Sequence, residues 1–98
     1  MQNQKYKISL RSKILIIEAQ NFSITIPKVD YIRKEFEQST GKTFDYVLYK
    51  NVLGYYAAYD FLNDNSIYCG SRSENQSIEQ IKEYLKDNGR EIVGNSNM

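Results

Sequence analysis

The sequence predicts an α+β domain in which antiparallel strands pack against two helices. Alternating or continuous apolar stretches, rich in isoleucine, tyrosine and phenylalanine, indicate strands. Two stretches with apolar residues three and four positions apart indicate amphipathic helices. Because 98 residues suffice for one modest core, we expect residues 1–98 to form a single domain, with a frayed tail at 94–98.

The first half of the chain is predicted to form three strands and a helix. Lys5–Leu10 and Phe22–Ile26 alternate apolar and polar residues, as half-buried strands do, and Ile14–Ala19 is the continuous apolar run of a central strand. Pro27 ends the third strand and is well placed to open a helix over Lys28–Gln38. The buried stripe of that helix is Val29, Ile32 and Phe36, and its C-terminal cap is Gly41.

The second half is predicted to repeat this order. Ser77 and Gln80 have the spacing of a capping box, so the second helix is expected to begin there and to end at Asn88-Gly89. Its buried stripe is Ile78, Ile81 and Leu85. The strands of this half are predicted at residues 44–49, 54–62 and 66–70, with a short additional strand at 91–93. The order is βββα-βββα followed by a short strand, compatible with one sheet or two and with a duplication.

The side of the sheet to which each residue of the strand predicted at 54–62 points decides which tyrosines can bind a partner. Alternation divides its residues into two sets. The set that contains Asp60 is expected to meet solvent, and the mostly aromatic set is expected to pack under a helix. The solvent-facing set is Tyr56, Ala58, Asp60 and Leu62, and the other set is Tyr55, Ala57, Tyr59 and Phe61.

The composition argues against most catalytic and metal sites. The chain has nine tyrosines, one cysteine and no histidine, so Ser-His-Asp catalysis, Cys-His catalysis and the usual zinc sites are excluded. Gly41-Lys42-Thr43 matches the end of a P-loop, but Phe36 stands where that motif needs glycine. We expect no metal and no cofactor. The lone Cys69 and an N-terminus without an apolar leader favour a cytoplasmic protein.

The density of tyrosines favours a protein that binds another protein. Tyrosine combines a large apolar ring with a polar tip, and it is enriched at interfaces. The size and the absence of a catalytic set are typical of inhibitors, antitoxins, immunity proteins and phage counter-defence factors. The expected interface is Tyr46, Tyr56, Lys50, Asp60 and Tyr68.

Two other functions remain open. One is a nucleic-acid-binding module that stacks bases on the tyrosines and neutralises phosphates with Lys5, Lys7, Arg11 and Lys13. The predicted helix–three strands–helix order over 28–88 resembles double-stranded RNA-binding domains, but Glu74-Asn75-Gln76-Ser77 stands where those domains carry lysines. The net charge of +1 also gives little attraction for phosphates. The other is a histidine-free, ribonuclease-like enzyme. The oligomeric state is not indicated.

Overall fold

A computed structural model describes residues 6–20 and 22–90. These residues form one five-stranded sheet in the order β1-β2-β3-β4-β5. The predicted short strand at 91–93 and the predicted tail at 94–98 lie outside the described residues. In chain order the elements are β1 Tyr6–Arg11, β2 Ile14–Ala19, α1 Ile26–Thr40, β3 Tyr46–Lys50, β4 Tyr56–Asp60, β5 Asn65–Ser71 and α2 Glu74–Asp87.

The α+β class is confirmed, but the expectation of a purely antiparallel sheet is wrong. β1 pairs with β2, β3 with β4 and β4 with β5 in antiparallel fashion, whereas β2 and β3 are parallel. The cause is α1, which follows β2 and carries the chain back to the end of the sheet where β2 began. A helical crossover of this kind produces a parallel neighbour.

The third strand predicted at 22–26 is absent from the structure. Ile26 is already the first residue of α1, and Thr25 is its N-cap, with an extended backbone and a side chain that accepts a hydrogen bond from the amide of Lys28. Five alternating residues before a proline are equally typical of an extended approach to a helix. The C-terminal cap was predicted correctly: Gly41 has φ +75°, the left-handed conformation that glycine adopts readily.

The N-cap of the second helix lies four residues before the predicted one, Ser77. Ser73 is the N-cap of α2, and its hydroxyl accepts a hydrogen bond from the amide of Gln76 at 3.2 Å. Ser77 lies inside the first turns, fully buried, and donates from its hydroxyl to the carbonyl of Ser73. Ser73 and Gln76 have the same spacing as Ser77 and Gln80, so the pattern alone selects neither pair.

The two helices lie on opposite faces of the sheet, which we call the α1 face and the α2 face. α1 covers β2 and β3 on its face, with Leu15, Ile17 and Val47 packed against Val29 and Ile32. On the other face, α2 packs on β4 and β5 and completes the larger part of the core. The predicted buried stripe of α2 is confirmed, since Ile78, Ile81 and Leu85 are all buried. No helix among residues 6–20 and 22–90 has the length and apolar character to cross a bilayer.

Candidate protein-binding surface

Three of the five predicted interface residues lie beneath α2. Tyr46, Tyr56 and Asp60 belong to the α2 face and are 8 %, 4 % and 0 % exposed. Their expected exposure to solvent is therefore wrong. The error is one of facing, because a single-residue shift exchanges the two sides of a strand.

Asp60 is buried because the fold surrounds its carboxylate with donors. It accepts hydrogen bonds from the amides of Leu62 and Asn63, the Asn63 side chain, the Tyr84 hydroxyl at 3.0 Å and both terminal nitrogens of Arg90. Burial alone would raise the pKa of Asp60, but the hydrogen bonds from Arg90, Tyr84 and Asn63 outweigh it and hold that pKa below its usual value. Asp60 thus fixes the end of α2 to the sheet.

Tyr56 likewise has a partner inside the fold. Its hydroxyl donates to Oε1 of Glu74 at 3.2 Å, and the ammonium of Lys50 lies 5.4 Å from the centre of its ring. Burial, together with the charge of Glu74, raises the pKa of Tyr56 to about 12. Lys50 and Tyr56 are cross-strand neighbours, as are Tyr46 and Asp60, so these four predicted residues do lie together. Tyr46, Tyr56 and Asp60 are buried there, and Lys50 is half-buried.

Tyr68, the fifth predicted residue, lies apart from the other four. It is 84 % exposed, and it follows Ile67 and precedes Cys69, both buried on the α2 face. Alternation therefore places Tyr68 on the α1 face. Its ring leans along β5 over Gly70, where a side chain of any other residue would collide with it.

The part of the α1 face that the helix α1 leaves uncovered is lined by tyrosines, and we call this surface the tyrosine face. α1 covers β2 and β3, and within the described residues no helix covers β4 or β5 on this side. Tyr55 is 42 % exposed and Tyr68 84 % exposed, while the others are half-buried. The tyrosine face consists of Tyr49, Tyr55, Ala57, Tyr59 and Tyr68.

Several contacts hold the tyrosine face in one arrangement. The guanidinium of Arg72 lies 4.6 Å from the ring centre of Tyr55 and donates to its hydroxyl at 3.2 Å. The hydroxyl of Tyr59 donates to Asp64, and its ring packs against Phe61 with the centroids 4.8 Å apart. The rings of Tyr55 and Tyr59 are therefore held in place by contacts within the fold.

The turn between β3 and β4 extends this surface. The side chain of Asn51 accepts hydrogen bonds from the amides of Leu53 and Tyr55, and its carbonyl accepts one from Gly54. The turn so formed holds Val52 and Leu53 outward, 45 % and 71 % exposed. Two apolar side chains thus stand beside Tyr55.

The three described cations of the nucleic-acid alternative lie away from the tyrosine face. Lys5 lies outside the described residues. Lys7 and Arg11 are on β1, at the opposite edge of the sheet from β5. Arg11 is paired with Glu74 and donates to Asn75 at 2.8 Å, and Lys13 is in the turn between β1 and β2. The glutamate that opens α2 is therefore bound to a cation of the same chain.

Other candidate sites have structural explanations. A cleft of about 610 Å³ lies at the end of α1, where Gly41-Lys42-Thr43 follow the helix and Leu10, Lys13 and Phe44 form the walls. In the described part of the chain, no group of three or more cysteine, aspartate or glutamate side chains is placed so that it could bind a metal ion. Cys69 is buried, and burial raises the pKa of its thiol to about 11, which disfavours the reactive thiolate.

Sequence reasoning separated the residues of β4 into the correct two sets but assigned Tyr56, Ala58 and Asp60 to the wrong face, whereas Leu62, just beyond β4, is exposed as expected. Tyr49, Tyr55 and Tyr59 were missed as binding candidates for that reason. A usable signal was present in β5, where Ile67 and Cys69 are the apolar positions and so direct Tyr68 outward. Comparison with protein-family models, with curated proteins and with solved structures found no match for this chain.

Proposed function

We propose that this protein is a non-catalytic binding protein that docks another protein on the tyrosine face. The observation that carries the proposal is the uncovered half of the α1 face, where Tyr68 is exposed and Tyr55 is exposed with Arg72 stacked on its ring. Tyrosine and arginine are the residues that most often hold the affinity of protein interfaces. The sequence predicted the binding surface on the side of β4 that carries Asp60, and we propose that it is on the side that carries Tyr59.

The prior positioning of these side chains favours binding. Tyrosine offers a large contact area with few rotatable bonds, so little side-chain entropy is lost when a partner covers it. Arg72 is already stacked on Tyr55, and Tyr59 is already bonded to Asp64. The exposed Val52 and Leu53 add apolar area at the rim.

The charge of the tyrosine face favours a protein partner over a nucleic acid. Arg72 and Asp64 contact the tyrosines of this face, so one cation is balanced by one anion. Binding to single-stranded nucleic acid needs stacking rings beside several cations that follow the backbone. The cations of β1 lie at the opposite edge of the sheet, and no observation favours that alternative or the ribonuclease-like one.

The test is affinity capture of partners from the native host, identified by mass spectrometry with and without nuclease. We expect Tyr55→Ala and Tyr68→Ala to weaken capture of the partner at least about tenfold at unchanged stability. Tyr31→Ala is the matched control, because Tyr31 is 55 % exposed on α1 and outside the tyrosine face. Full capture by folded Tyr55→Ala and Tyr68→Ala variants, or loss of the partner on nuclease treatment, would contradict the proposal.

A further inference from the structure

We propose that the outer edge of β5, beside α2, takes up an extended segment of the partner that carries lysine or arginine, as a sixth strand of the sheet. The proposal rests on the proposed function, to which it adds the shape and charge of one part of the partner. Tyr68 belongs both to this edge and to the tyrosine face, so a single partner can contact both.

The edge of β5 is open to strand addition. β5 is the last strand of the sheet, and no described strand pairs with its outer side. An open edge presents backbone donors and acceptors that an incoming strand can bind. Asn65, Ser66 and Ile67 pair regularly with β4, but a register shift follows, and Gly70 has φ +63°. Such an irregularity ends regular pairing, so the edge suits a short segment of about four residues.

A groove runs along this edge. Its volume is about 310 Å³, and it is lined by Ile67 and Tyr68 on the strand side and by Gln80, Glu83 and Asp87 on the helix side. The helical residues are spaced three and four positions apart, so they share one side of α2. An added strand would therefore lie between β5 and this side of α2, the geometry of peptides that bind between an edge strand and a helix.

The groove is acidic. The helix side supplies two carboxylates, Glu83 and Asp87, neither of which forms an ion pair within the described residues. A lysine or arginine on the added strand would supply the opposite charge for these two carboxylates.

The opposite edge of the sheet differs in charge. β1 carries the exposed cation Lys7 and no carboxylate, so it repels a basic segment rather than attracting it; Arg11 on the same strand is paired with Glu74. A basic strand is therefore directed to β5 rather than β1.

The test uses a capped peptide of about seven residues in which lysine alternates with valine, titrated into ¹⁵N-labelled protein. We expect amide shifts in residues 65–68 and along the Gln80–Asp87 side of α2. Affinity should fall at least about tenfold when glutamate replaces the peptide lysines. It should fall similarly when the valine nitrogens are methylated, since this removes donors needed for strand pairing.

The protein variants separate the groove from general charge. The double variant Glu83→Lys with Asp87→Lys should lose peptide affinity at least about tenfold, with its fold checked by its own amide spectrum. Glu79→Lys is the matched control, because Glu79 is on the exposed side of α2 and pairs with Lys82. Equal affinity for lysine and glutamate peptides, shifts confined to other surfaces, or equal losses for Glu79→Lys and the double variant would overturn the proposal.

The two proposals can fail independently. Tyr55→Ala leaves the groove intact, so the lysine peptide should bind this variant as it binds the wild type. Failure of the peptide while Tyr55→Ala still abolishes partner capture would reject only the strand addition. Peptide binding in the groove with full partner capture by Tyr55→Ala would reject only the tyrosine face.

Discussion

Replacing Asp60 by alanine should destabilise the protein by about 3–5 kcal/mol, the loss typical of a buried ion pair from which one partner is removed. The Asp60 carboxylate is completely buried and accepts hydrogen bonds from Leu62, Asn63, Tyr84 and Arg90. In the alanine variant, those donors lose their acceptor while the surrounding fold still keeps much water out.

The magnitude follows from what each donor can do without Asp60. The Arg90 side chain is 21 % exposed, so its charge regains part of its hydration and contributes less than a fully buried ion would. The amides of Leu62 and Asn63 and the hydroxyl of Tyr84 each cost about 1–3 kcal/mol where they are left unpaired and buried. A domain of this length is stable by about 5–15 kcal/mol, so the variant loses a large fraction of its stability.

The measurement is urea unfolding followed by circular dichroism. Asp60→Asn keeps the side-chain volume and one acceptor oxygen, so it should lose less and remain measurable if Asp60→Ala does not fold. Asp87→Asn is the control, because Asp87 is exposed on α2 and should change stability by less than about 0.5 kcal/mol. A loss under about 1 kcal/mol for Asp60→Ala would refute the role assigned to this carboxylate.

The same carboxylate gives stability a dependence on acid. The folded-state pKa of Asp60 is lowered from its ordinary value of 3.8. Its contribution is therefore fully present above pH 3.8 and is lost as the pH falls through the folded pKa. Wild type and Asp60→Asn should converge in stability as acid is added, and a constant difference down to strong acid would contradict the assignment.

Three other predictions concern single side chains. Leu85→Ala should lower the free energy of unfolding in urea by about 2–5 kcal/mol, because Leu85 is fully buried. The control Leu62→Ala, at a residue that is 63 % exposed, should lower it by less than about 0.5 kcal/mol. Similar losses for the two variants would show that α2 is not docked as described. Cys69 should react with Ellman's reagent only as fast as the domain opens, since burial raises the thiol pKa to about 11, and prompt labelling of the native protein would contradict this. The Tyr56 hydroxyl has a pKa raised from 10.0 to about 12, so its contribution to stability is present below pH 10 and is lost as the pH rises towards 12. Tyr56→Phe should lack this loss of stability in alkali. Parallel stability profiles of wild type and variant against pH would contradict the role of the hydroxyl.

Elements with a strong periodic pattern could be predicted from the sequence. Ile78, Ile81 and Leu85 are spaced so that only a helix can bury them together, and the structure does so. Phe22, Ile24 and Ile26 are too few for alternation to distinguish a strand from an extended approach to a helix. The cap formed by Thr25 decides that segment, and its hydrogen bond is visible only once the chain is folded.

The face of the sheet to which each residue of β4 points could not be predicted, because it depends on contacts between residues that are distant in sequence. Asp60 suggested a solvent-exposed side, since aspartate is almost never fully buried unless it is paired. Its partners Tyr84 and Arg90 lie far along the chain, and no local pattern announces them. The parallel pairing of β2 with β3 was missed for a similar reason, because strand patterns carry no direction and only the path of α1 sets it.

The parallel pair of β2 and β3 also joins two parts of the sheet that can each form before they meet. β1 and β2 are joined by a tight turn, and β3, β4 and β5 follow one another as antiparallel neighbours, so each group can form through contacts close in sequence. Contacts such as Ile16 with Leu48 need closure of the whole segment that contains α1, and such closure costs entropy before any contact is gained. We therefore expect the meeting of β2 and β3 to limit the folding rate, with substitutions at Ile16 or Leu48 slowing folding more than substitutions in β1 or β5, which lie outside the parallel pair.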